Sequence, residues 1–313
     1  MSKSIAIIGA GMAGLSCAME LARLGHRPVL FDKGRGPGGR MATRRTEIGG
    51  EEVRFDHGAQ YFTARDPRFV EAVKGWESGG FVAPWPAAGD DAFVGTPAMN
   101  APVRQMAQFF NVAWETRIER VLHDEHTWHL RSGNTIFRAQ RLVCAIPAEQ
   151  AAELLAKEAP EFAENAAEVQ SRPCWALMAR FPERVDLDDT YRGKDIAWAA
   201  RNSSKPGRGE GEDWVIHASP EWSQDHLELE QDEVASKLLA QFFAETGAKV
   251  VAPAHRAAHR WRYAMVDKAK GPSAIWDSKL ELGICGDWLA GPRVENAFLS
   301  GHALAQLIGE GAD

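Results

Sequence analysis

Residues 5–14 read Ile5-Ala-Ile-Ile-Gly9-Ala-Gly11-Met-Ala-Gly14, an apolar run that leads directly into a Gly-x-Gly-x-x-Gly pattern. The apolar run predicts a buried strand, and the glycines predict a tight turn into a helix. Gly9 permits the turn, Gly11 lets the backbone approach a pyrophosphate, and Gly14 lets the helix pack closely on the sheet. The stretch therefore predicts a dinucleotide-binding turn.

The residues that follow agree with this interpretation. Residues 12–24 have the apolar spacing of a helix, Gly25 lies at its expected end, and Pro28–Phe31 reads as the next strand. The first N–H groups of the helix, near Met12 and Ala13, are expected to hold phosphate oxygens. Asp32 ends the second strand, where a carboxylate can accept hydrogen bonds from a ribose diol.

A second glycine-rich segment, Lys33-Gly-Arg-Gly-Pro-Gly-Gly-Arg40-Met41, comes directly after Asp32. It resembles the glycine doublet with arginine that follows the first turn in FAD-dependent amine oxidases. The doublet permits close backbone approach to a cofactor, and Arg40 can place a bidentate donor on a phosphate or beside the flavin. We expect cofactor contacts from Lys33 and Met41 as well; a flexible basic loop is the alternative interpretation.

The C-terminal part of the chain carries an independent signal. Residues 280–285 read as a buried strand that ends in Gly286-Asp287, and a helix begins shortly after Pro292. This resembles the second FAD signature of the same superfamily. The resemblance implies that Gly286 and Asp287 contact the ribityl chain and phosphates. It also implies that the helix N-terminus, with Val294, Glu295, Asn296 and Ala297, points at the pyrimidine edge of the flavin, where it would stabilise the reduced form. Both ends of the chain must then meet in space.

Residues 56–62 read Asp-His57-Gly58-Ala59-Gln60-Tyr61-Phe. This segment is similar to one in the renalase family, which lies within the FAD-dependent amine oxidase-like superfamily. The resemblance implies that His57, Gly58 and Ala59 form a turn that returns to the flavin, and that Gln60 and Tyr61 line the substrate site. His57 is equally suited to hold the turn together.

The resemblance to bacterial renalases extends over residues 5–305 and includes Arg260-Trp-Arg262-Tyr and Gly-Asp-Trp288. It implies oxidation of 2- and 6-dihydro-NAD(P) to NAD(P)⁺, with O₂ reduced to H₂O₂. Hydride loss from such a ring yields an aromatic pyridinium, so no general base is required and catalysis depends on positioning. On this basis Tyr61, Trp288 and Asn296 shape a slot for the ring, while Gln60 and Arg262 bind its substituents or phosphates. Pro147, which ends a buried strand, is predicted to contact the cofactor.

These patterns predict an α/β protein with a Rossmann-like FAD-binding domain of the amine oxidase and p-hydroxybenzoate hydroxylase type, plus a smaller discontinuous α+β substrate domain on a mixed sheet. We predict that the FAD-binding domain comprises residues 1–66, 97–165 and 268–313, and the substrate domain residues 67–96 and 166–267. For individual segments we predict a helix followed by a loop over 67–95, an antiparallel meander over 118–139 and helical structure over 148–168. We also predict a polar hairpin-like loop over 205–211 and a long helix over 227–246.

Composition narrows the class of protein. The chain has 313 residues, 45% of them hydrophobic, and a formal net charge of −7 without a long basic run, which argues against a nucleic-acid partner. No apolar stretch reaches the roughly 18 residues that span a bilayer, and no signal peptide is evident. The four cysteines form no Cys-x-x-Cys, so we expect no redox disulfide beside a flavin, and reduced cysteines favour a cytoplasmic location. No cysteine lies where covalent flavin attachment is usual in monoamine oxidases, so we expect noncovalent FAD. We predict no metal site.

Two other functions remain open at this stage. An amine oxidase would carry the same FAD motifs and commonly a lysine near flavin N5, for which Lys268 and Lys270 are candidates. The other class is a nonredox flavoprotein, such as a mutase or isomerase. A regulatory protein that only binds the cofactor ranks after it. The single Rossmann turn excludes a dedicated NADPH domain, because such a domain would need a second strand-turn-helix unit of the same kind.

Overall fold

The structure is a computed structural model that describes residues 3–266 and 271–310. Its helices, in chain order, are α1 (Met12–Arg23), α2 (Pro67–Ser78), α3 (Ala101–Ala107), α4 (Ala148–Leu155), α5 (Pro160–Ala167), α6 (Pro220–Asp225), α7 (Gln231–Thr246) and α8 (Val294–Glu310). Its strands are β1 (Ile5–Ile8), β2 (Pro28–Phe31), β3 (Arg44–Ile48), β4 (Glu51–Phe55), β5 (Phe62–Thr63), β6 (Val82–Pro84), β7 (Ala92–Gly95), β8 (Val112–Ala113), β9 (Arg120–His123), β10 (Trp128–Ser132), β11 (Thr135–Ala139), β12 (Arg141–Cys144), β13 (Ser171–Phe181), β14 (Thr190–Tyr191), β15 (Ile196–Arg201), β16 (Glu212–Ala218), β17 (His255–Val266), β18 (Ala274–Asp277) and β19 (Leu282–Cys285).

A six-stranded sheet forms the nucleotide-binding part, with strand order β18-β19-β12-β1-β2-β8. Its strands are parallel except for β18, which pairs antiparallel with β19. All four residues of β1 are buried, as the apolar run predicted, because the strand lies in the middle of the sheet. The predicted Rossmann-like α/β fold is confirmed.

The two ends of the chain meet through α1 and α8. A Cβ on Gly301 of α8 would lie 2.0 Å from the carbonyl oxygen of Ala13 in α1, so only glycine lets the helices approach this closely. Nearby, the Ser16 hydroxyl donates a 2.7 Å hydrogen bond to the carbonyl of Phe298. The prediction that the N-terminal and C-terminal signatures lie side by side is therefore confirmed.

A five-stranded sheet with the order β14-β15-β16-β13-β17 forms the second part of the molecule. Its strands are antiparallel throughout, so mixed pairing occurs in the six-stranded sheet rather than here. The helix α7 covers one face, where its Leu238 and Phe242 pack with Trp175 and Trp214 of the sheet. This packing gives the second part a core of its own.

Several local predictions differ from the structure. Residues 82–95 contain the hairpin β6–β7 instead of only a loop, and β5 extends it where Phe62 stacks on Phe93. The helix expected over 227–246 begins at Gln231; a separate helix, α6, precedes it because Ser219 caps an N-terminus that starts with Pro220. The helical region 148–168 is divided where Pro160 starts a new helix.

The predicted meander is present as β9, β10 and β11. At the edge of the six-stranded sheet, residues 112–113 pair parallel with β2. In residues 3–266 and 271–310, no helix is long and apolar enough to cross a membrane. The domain boundaries given above stay a prediction.

Candidate active site

The N-terminal turn has the geometry that its glycines require. Gly9 has a φ of +101°, and a Cβ there would lie 2.4 Å from the carbonyl oxygen of Ala145 at the end of β12. A Cβ on Gly14 would lie 1.9 Å from the carbonyl oxygen of Gly9. A Cβ on Gly11, in contrast, would meet no described atom within 4 Å, so this glycine faces open space at the start of α1. The first turn of the helix is thus accessible to a ligand.

Asp32 holds this turn in place from the neighbouring strand. Its carboxylate accepts hydrogen bonds from the backbone N–H of Ala10 at 2.8 Å and of Gly34 at 2.7 Å. Each carboxylate oxygen can accept more than one hydrogen bond, so Asp32 keeps capacity for a hydroxyl pair. Lys33 follows it and donates to the side chain of Gln150 at 2.9 Å.

The second glycine-rich segment is joined to the C-terminal signature. The Arg40 guanidinium pairs with the Asp287 carboxylate and donates to the carbonyl of Ala264 at 3.3 Å. The Arg40 carbonyl in turn accepts from the N–H of Ala59 at 2.8 Å, and a Cβ on Gly58 would lie 2.0 Å from its oxygen. Three segments distant in the sequence therefore meet at Arg40.

The start of α8 lies against the same cavity. Val294 and Ala297 line it, whereas Gly14, Glu295 and Asn296 do not. Glu295 is buried and accepts hydrogen bonds from the backbone N–H groups of Arg65 (2.6 Å) and Asp66 (2.7 Å). The Asn296 amide donates to the carbonyls at residues 290 (2.8 Å) and 291 (3.1 Å), so this amide group stabilises the loop before the helix.

A buried ionic cluster lies behind the 56–60 turn. The side chains of Asp56 and Lys205 are both 0% exposed, with Lys205 Nζ 3.3 Å from an Asp56 carboxylate oxygen that also pairs with Arg208. The carboxylate also accepts from the Thr43 hydroxyl at 2.7 Å. Burial favours the neutral acid, but the charges of Lys205 and Arg208 hold the pKa of Asp56 well below its usual range. Burial and the neighbouring Arg208 lower the pKa of Lys205 to about 8.

Gln60 lies between this cluster and the cavity. Its amide oxygen accepts from Lys205 Nζ at 3.1 Å, and its amide nitrogen donates to the carbonyls of Asp56 and, at 3.1 Å, Gly58. These contacts fix which way the amide points. Lys205 thus positions Gln60 without itself lining the cavity.

Three histidines surround the same turn. The His57 ring stacks on Trp261 with ring centres 5.2 Å apart, and His259 meets its edge at 4.7 Å. His217 Nε2 lies 3.1 Å from the His57 carbonyl oxygen. Burial lowers the pKa of His57 to about 3 and those of His217 and His259 to about 4, so all three rings are neutral at pH 7.

Tyr61 lines the cavity together with Trp198 of β15 and Arg192, which follows β14. Its ring lies 5.4 Å from that of Trp198, and its hydroxyl accepts from the guanidinium of Arg192 at 2.8 Å. The guanidinium carbon of Arg192 lies 4.3 Å from the centre of the Trp198 ring. Arg262, another predicted site residue, is turned to Glu228, with two hydrogen bonds of 2.7 and 2.8 Å.

These segments enclose one cavity of about 2150 Å³. The predicted site residues that line it are Gly9, Gly11, Met12, Ala13, Asp32, Lys33, Arg40, Met41, His57, Gly58, Ala59, Gln60, Tyr61, Pro147, Arg262, Gly286, Asp287, Trp288, Val294 and Ala297. The Trp288 indole donates to the carbonyl of Ile146 at 3.0 Å, which fixes its plane in the wall. Residues predicted from opposite ends of the chain and from its middle therefore share one cavity.

The side chains that line the cavity carry more positive than negative charge. Among the described residues, twelve arginines and lysines line the cavity and only four acids, Asp32, Glu119, Glu153 and Asp287. None of these acids lies in residues 57–65 or 171–266. The wall formed by those two ranges, here called the substrate-side wall, contains Arg65, Arg192, Arg260 and Arg262. A cavity with this excess of cations in a chain of net charge −7 favours anionic ligands.

Several residues near the cavity were not predicted from the sequence. Trp198 and His217 lie in strands whose register could not be predicted, and Arg192 follows the short strand β14. Lys205 was assigned to a polar loop although its side chain is fully buried. A lysine and an arginine three residues apart in a glycine-rich loop were the only available signal. The candidates Lys268 and Lys270 lie outside the described residues. Within the described ranges, no group of histidine, cysteine and acidic side chains could hold a metal ion.

The fold and the glycine turn together define a dinucleotide-binding protein of the Rossmann type. The profile of the NAD(P)-binding Rossmann-like domain family matches residues 7–75. The chain is also similar to the 15-cis-phytoene desaturase of Synechococcus elongatus, with 28% identity over 128 residues. That match covers 37% of this chain and only 26% of the desaturase.

Solved structures extend the likeness to the whole fold. A putative protoporphyrinogen oxidase from Exiguobacterium sp. 255-15 superposes with a TM-score of 0.78 at 12% identity, over 99% of each chain. Cyclohexylamine oxidase from Brevibacterium oxydans IH-35A gives 0.64 at 14% identity, again over 99% of each chain. A putrescine oxidase bound to putrescine gives 0.68 at 12% identity, over 98% of this chain and 99% of that one. At these identities the likeness shows a common fold.

Proposed function

We propose that this chain is an FAD-dependent oxidase that acts on the 2- and 6-dihydro isomers of NAD(P), forming NAD(P)⁺ and, from O₂, H₂O₂. The cofactor assignment is supported by the two glycine-containing segments, by the start of α8 and by the oxidases among the structural neighbours. Noncovalent attachment is supported because the described lining residues offer no reactive thiol. Their one cysteine is Cys174. Burial raises the pKa of its thiol to about 12, so it stays protonated and unreactive.

The observation that carries the choice of substrate is the charge of the substrate-side wall. Its lining holds four arginines and no carboxylate among the described residues. Arg65 is paired with Asp91 beside the wall, and Arg260 and Arg262 are paired with Glu228. Arg192 is the arginine of this wall that has no salt-bridge partner among the described residues, so its charge is the one available to a ligand. A dihydronicotinamide dinucleotide carries a pyrophosphate with two negative charges, which arginine binds in bidentate fashion. An amine substrate is a cation at neutral pH, and this wall would repel it.

FAD held by the glycine turn and the start of α8 would supply a hydride acceptor that O₂ can reoxidise. The protein's own residues would only have to place the dihydropyridine ring. Trp288, fixed by Ile146, and Tyr61 are suited to form a slot, and Gln60 has its amide held in one orientation by Lys205. Burial lowers the pKa of His57 to about 3 and that of His217 to about 4, so both are weak bases, which fits a reaction that forms an aromatic pyridinium and needs no proton removed.

Amine oxidation is the second candidate, because cyclohexylamine oxidase and putrescine oxidase share the fold. Tyr61 and Trp198 are aromatic residues of the kind that surround an amine. However, the guanidinium of Arg192 already lies over the Trp198 ring, so that face is occupied by a cation. The charge of the wall and this contact both favour the dinucleotide.

Anaerobic mixing tests the proposal. The FAD-loaded protein is mixed in a stopped-flow instrument with 2-dihydro-NAD, 6-dihydro-NAD, cyclohexylamine or putrescine, and loss of the oxidised flavin absorbance is followed. We expect rapid bleaching by the dihydronicotinamides and none by the amines. Admission of oxygen should restore the absorbance and release one H₂O₂ per turnover.

Each contrary result has a clear meaning. Bleaching by amines alone would replace the proposal with amine oxidation. Bleaching by neither class would favour a nonredox flavoprotein. Protein that binds no FAD at all would overturn the cofactor assignment.

A further inference from the structure

Tyr61, Arg192 and Trp198 form a cluster in the wall of the cavity. We infer that Arg192 binds a phosphate group of the substrate and so determines specificity for phosphorylated dihydronicotinamides. This inference rests on the proposed function. It adds a residue that no sequence motif indicated and a chemical group that this residue recognises.

Arg192 is oriented by its contacts but keeps free donors. One N–H donates to the Tyr61 hydroxyl at 2.8 Å, and the plane lies over Trp198 at 4.3 Å. A guanidinium has five N–H donors, so most of them remain for a ligand. No carboxylate of the described residues lies within salt-bridge distance of Arg192, in contrast to Arg260 and Arg262, which share Glu228. Its charge is thus available to an anion.

The backbone that carries Arg192 is fixed by Glu245 of α7. The Glu245 carboxylate accepts hydrogen bonds from three successive N–H groups, those of Lys194 (2.5 Å), Asp195 (3.0 Å) and Ile196 (3.2 Å). The Tyr191 hydroxyl donates to the Glu245 carbonyl at 3.2 Å on the other side of Arg192. A Cβ on Gly193 would lie 1.7 Å from the Glu245 carboxylate, so the turn fits closely around it. A side chain held on such a turn is preorganised for binding.

The surroundings of Arg192 select for an anion. No acid lines the substrate-side wall, and its other arginines are already paired with Asp91 or Glu228, so Arg192 is the cation there that an anion can reach without displacing a carboxylate. Stacking on Trp198 shields one face of the guanidinium from water, which strengthens a charged hydrogen bond. A phosphate on the ribose of the substrate is an anion that this fork can bind with two parallel hydrogen bonds.

The test measures binding to the oxidised, FAD-loaded protein, so it does not depend on turnover. Isothermal titration calorimetry is carried out with NAD⁺, nicotinamide mononucleotide and nicotinamide riboside, which share the ring and differ in phosphates. We expect Arg192→Gln to weaken NAD⁺ and mononucleotide binding by about tenfold to a hundredfold, as for loss of a charged hydrogen bond. Riboside binding should change less than about twofold.

Two further variants sharpen the result. Arg192→Lys keeps the charge but loses the planar fork, so its affinity for NAD⁺ should lie between those of wild type and Arg192→Gln. Arg138→Gln is the control: this exposed arginine of β11 does not line the cavity, and its removal should leave all three affinities unchanged.

The inference is overturned if Arg192→Gln leaves NAD⁺ affinity unchanged, or if it weakens riboside and NAD⁺ binding equally, which would mark a structural effect. It is also overturned if the wild type binds neither NAD⁺ nor inorganic pyrophosphate. Failure of the proposed function looks different: the wild-type flavin would not be reduced by 2- or 6-dihydro-NAD, while the phosphate-dependent loss in Arg192→Gln would persist.

Discussion

The two walls of the cavity are built by different means. The wall proposed to hold the cofactor, here called the cofactor-side wall, is formed by lining residues within 8–45 and 286–297 and contains the glycine turn. A Cβ on Gly9 would lie 2.4 Å from the carbonyl oxygen of Ala145, and a Cβ on Gly14, behind the turn, 1.9 Å from that of Gly9, whereas Gly11 leaves open space at the start of α1. On the substrate side the chain presents side chains, chiefly arginines, aromatic rings and neutral histidines. The first wall is therefore sensitive to added volume, and the second to changes in charge. Four predictions test this difference, beginning with the largest expected effect.

Glycine substitutions in the first turn should separate folding from cofactor binding. Gly14→Ala places a Cβ 1.9 Å from the Gly9 carbonyl oxygen, so we expect the free energy of unfolding to fall by at least about 3 kcal/mol. Gly11→Ala meets no described atom within 4 Å and has a φ of −82°, which alanine adopts readily. It should leave the apoprotein as stable as wild type but weaken FAD binding by about a hundredfold.

Urea unfolding of the apoproteins and titration with FAD measure the two effects. A Gly11→Ala protein that binds FAD normally would show that the turn does not face the cofactor. An apoprotein of Gly11→Ala as unstable as Gly14→Ala would contradict the distinction between the two positions.

Behind the substrate-side wall, removal of the charge on Asp56 should lower the free energy of unfolding more than any other change considered. Asp56→Asn leaves Lys205 and Arg208 buried without a carboxylate, and we expect a loss of about 3–5 kcal/mol in urea unfolding. Glu233→Gln breaks an exposed pair with Lys237 and is the control, with an expected change below about 0.5 kcal/mol. Equal effects of the two substitutions would mean that the buried cluster has no special role.

Acid should weaken the folded state through the buried histidines. The pKa values of His57 and His217 are lowered by burial, to about 3 and about 4, whereas the unfolded chain titrates near 6.5. Between those values the unfolded state binds more protons, so stability falls as the pH drops from about 6.5 towards 4. The expected loss by pH ~5 is about 1 to 2 kcal/mol for each histidine.

Chemical unfolding at several pH values measures this slope. His217→Gln should make the slope shallower, while His126→Gln, a change in an exposed loop, should not. A slope that His217→Gln leaves unchanged would rule out this histidine as a source of acid sensitivity.

The smallest effect should come from Glu228, which is 71% exposed and pairs with Arg260 and Arg262. Glu228→Gln removes a negative charge near the cavity and should tighten NAD⁺ binding by no more than about fivefold at low salt. The gain should disappear at high salt, because exposed charges are screened. Titration calorimetry at two salt concentrations measures it; weaker binding would contradict the view that this wall attracts anions.

The same difference explains how much could be predicted from the sequence. The roles of Gly9 and Gly14 follow from contiguous residues, since a tight turn and a close helix approach each require glycine at one fixed position. The parallel strands, α1 and the meeting of α1 with α8 were predicted for the same reason. The site residues themselves were placed partly by motif and partly by resemblance, and their roles remain predictions.

Arg192, Trp198 and Lys205 escaped prediction because tertiary pairing alone brings the first two to the cavity and Lys205 to the buried cluster behind it. Arg192 reaches Tyr61 across 131 residues of sequence, and Lys205 reaches Asp56 across 149. A lysine in a polar loop and an arginine after a short strand have no local pattern that distinguishes a buried or ligand-binding position from an exposed one.

The strand order of the six-stranded sheet also dictates when the protein can fold during translation. The first strand and helix leave the ribosome early, but β1 gains its neighbour β12 only at residues 141–144, and α1 gains α8 only at residues 294–310. Contacts of such long sequence separation form slowly. β1 can pair with β2 as soon as residues 28–31 are available, but the face of α1 that packs on α8 stays uncovered until residues 294–310 have been synthesised.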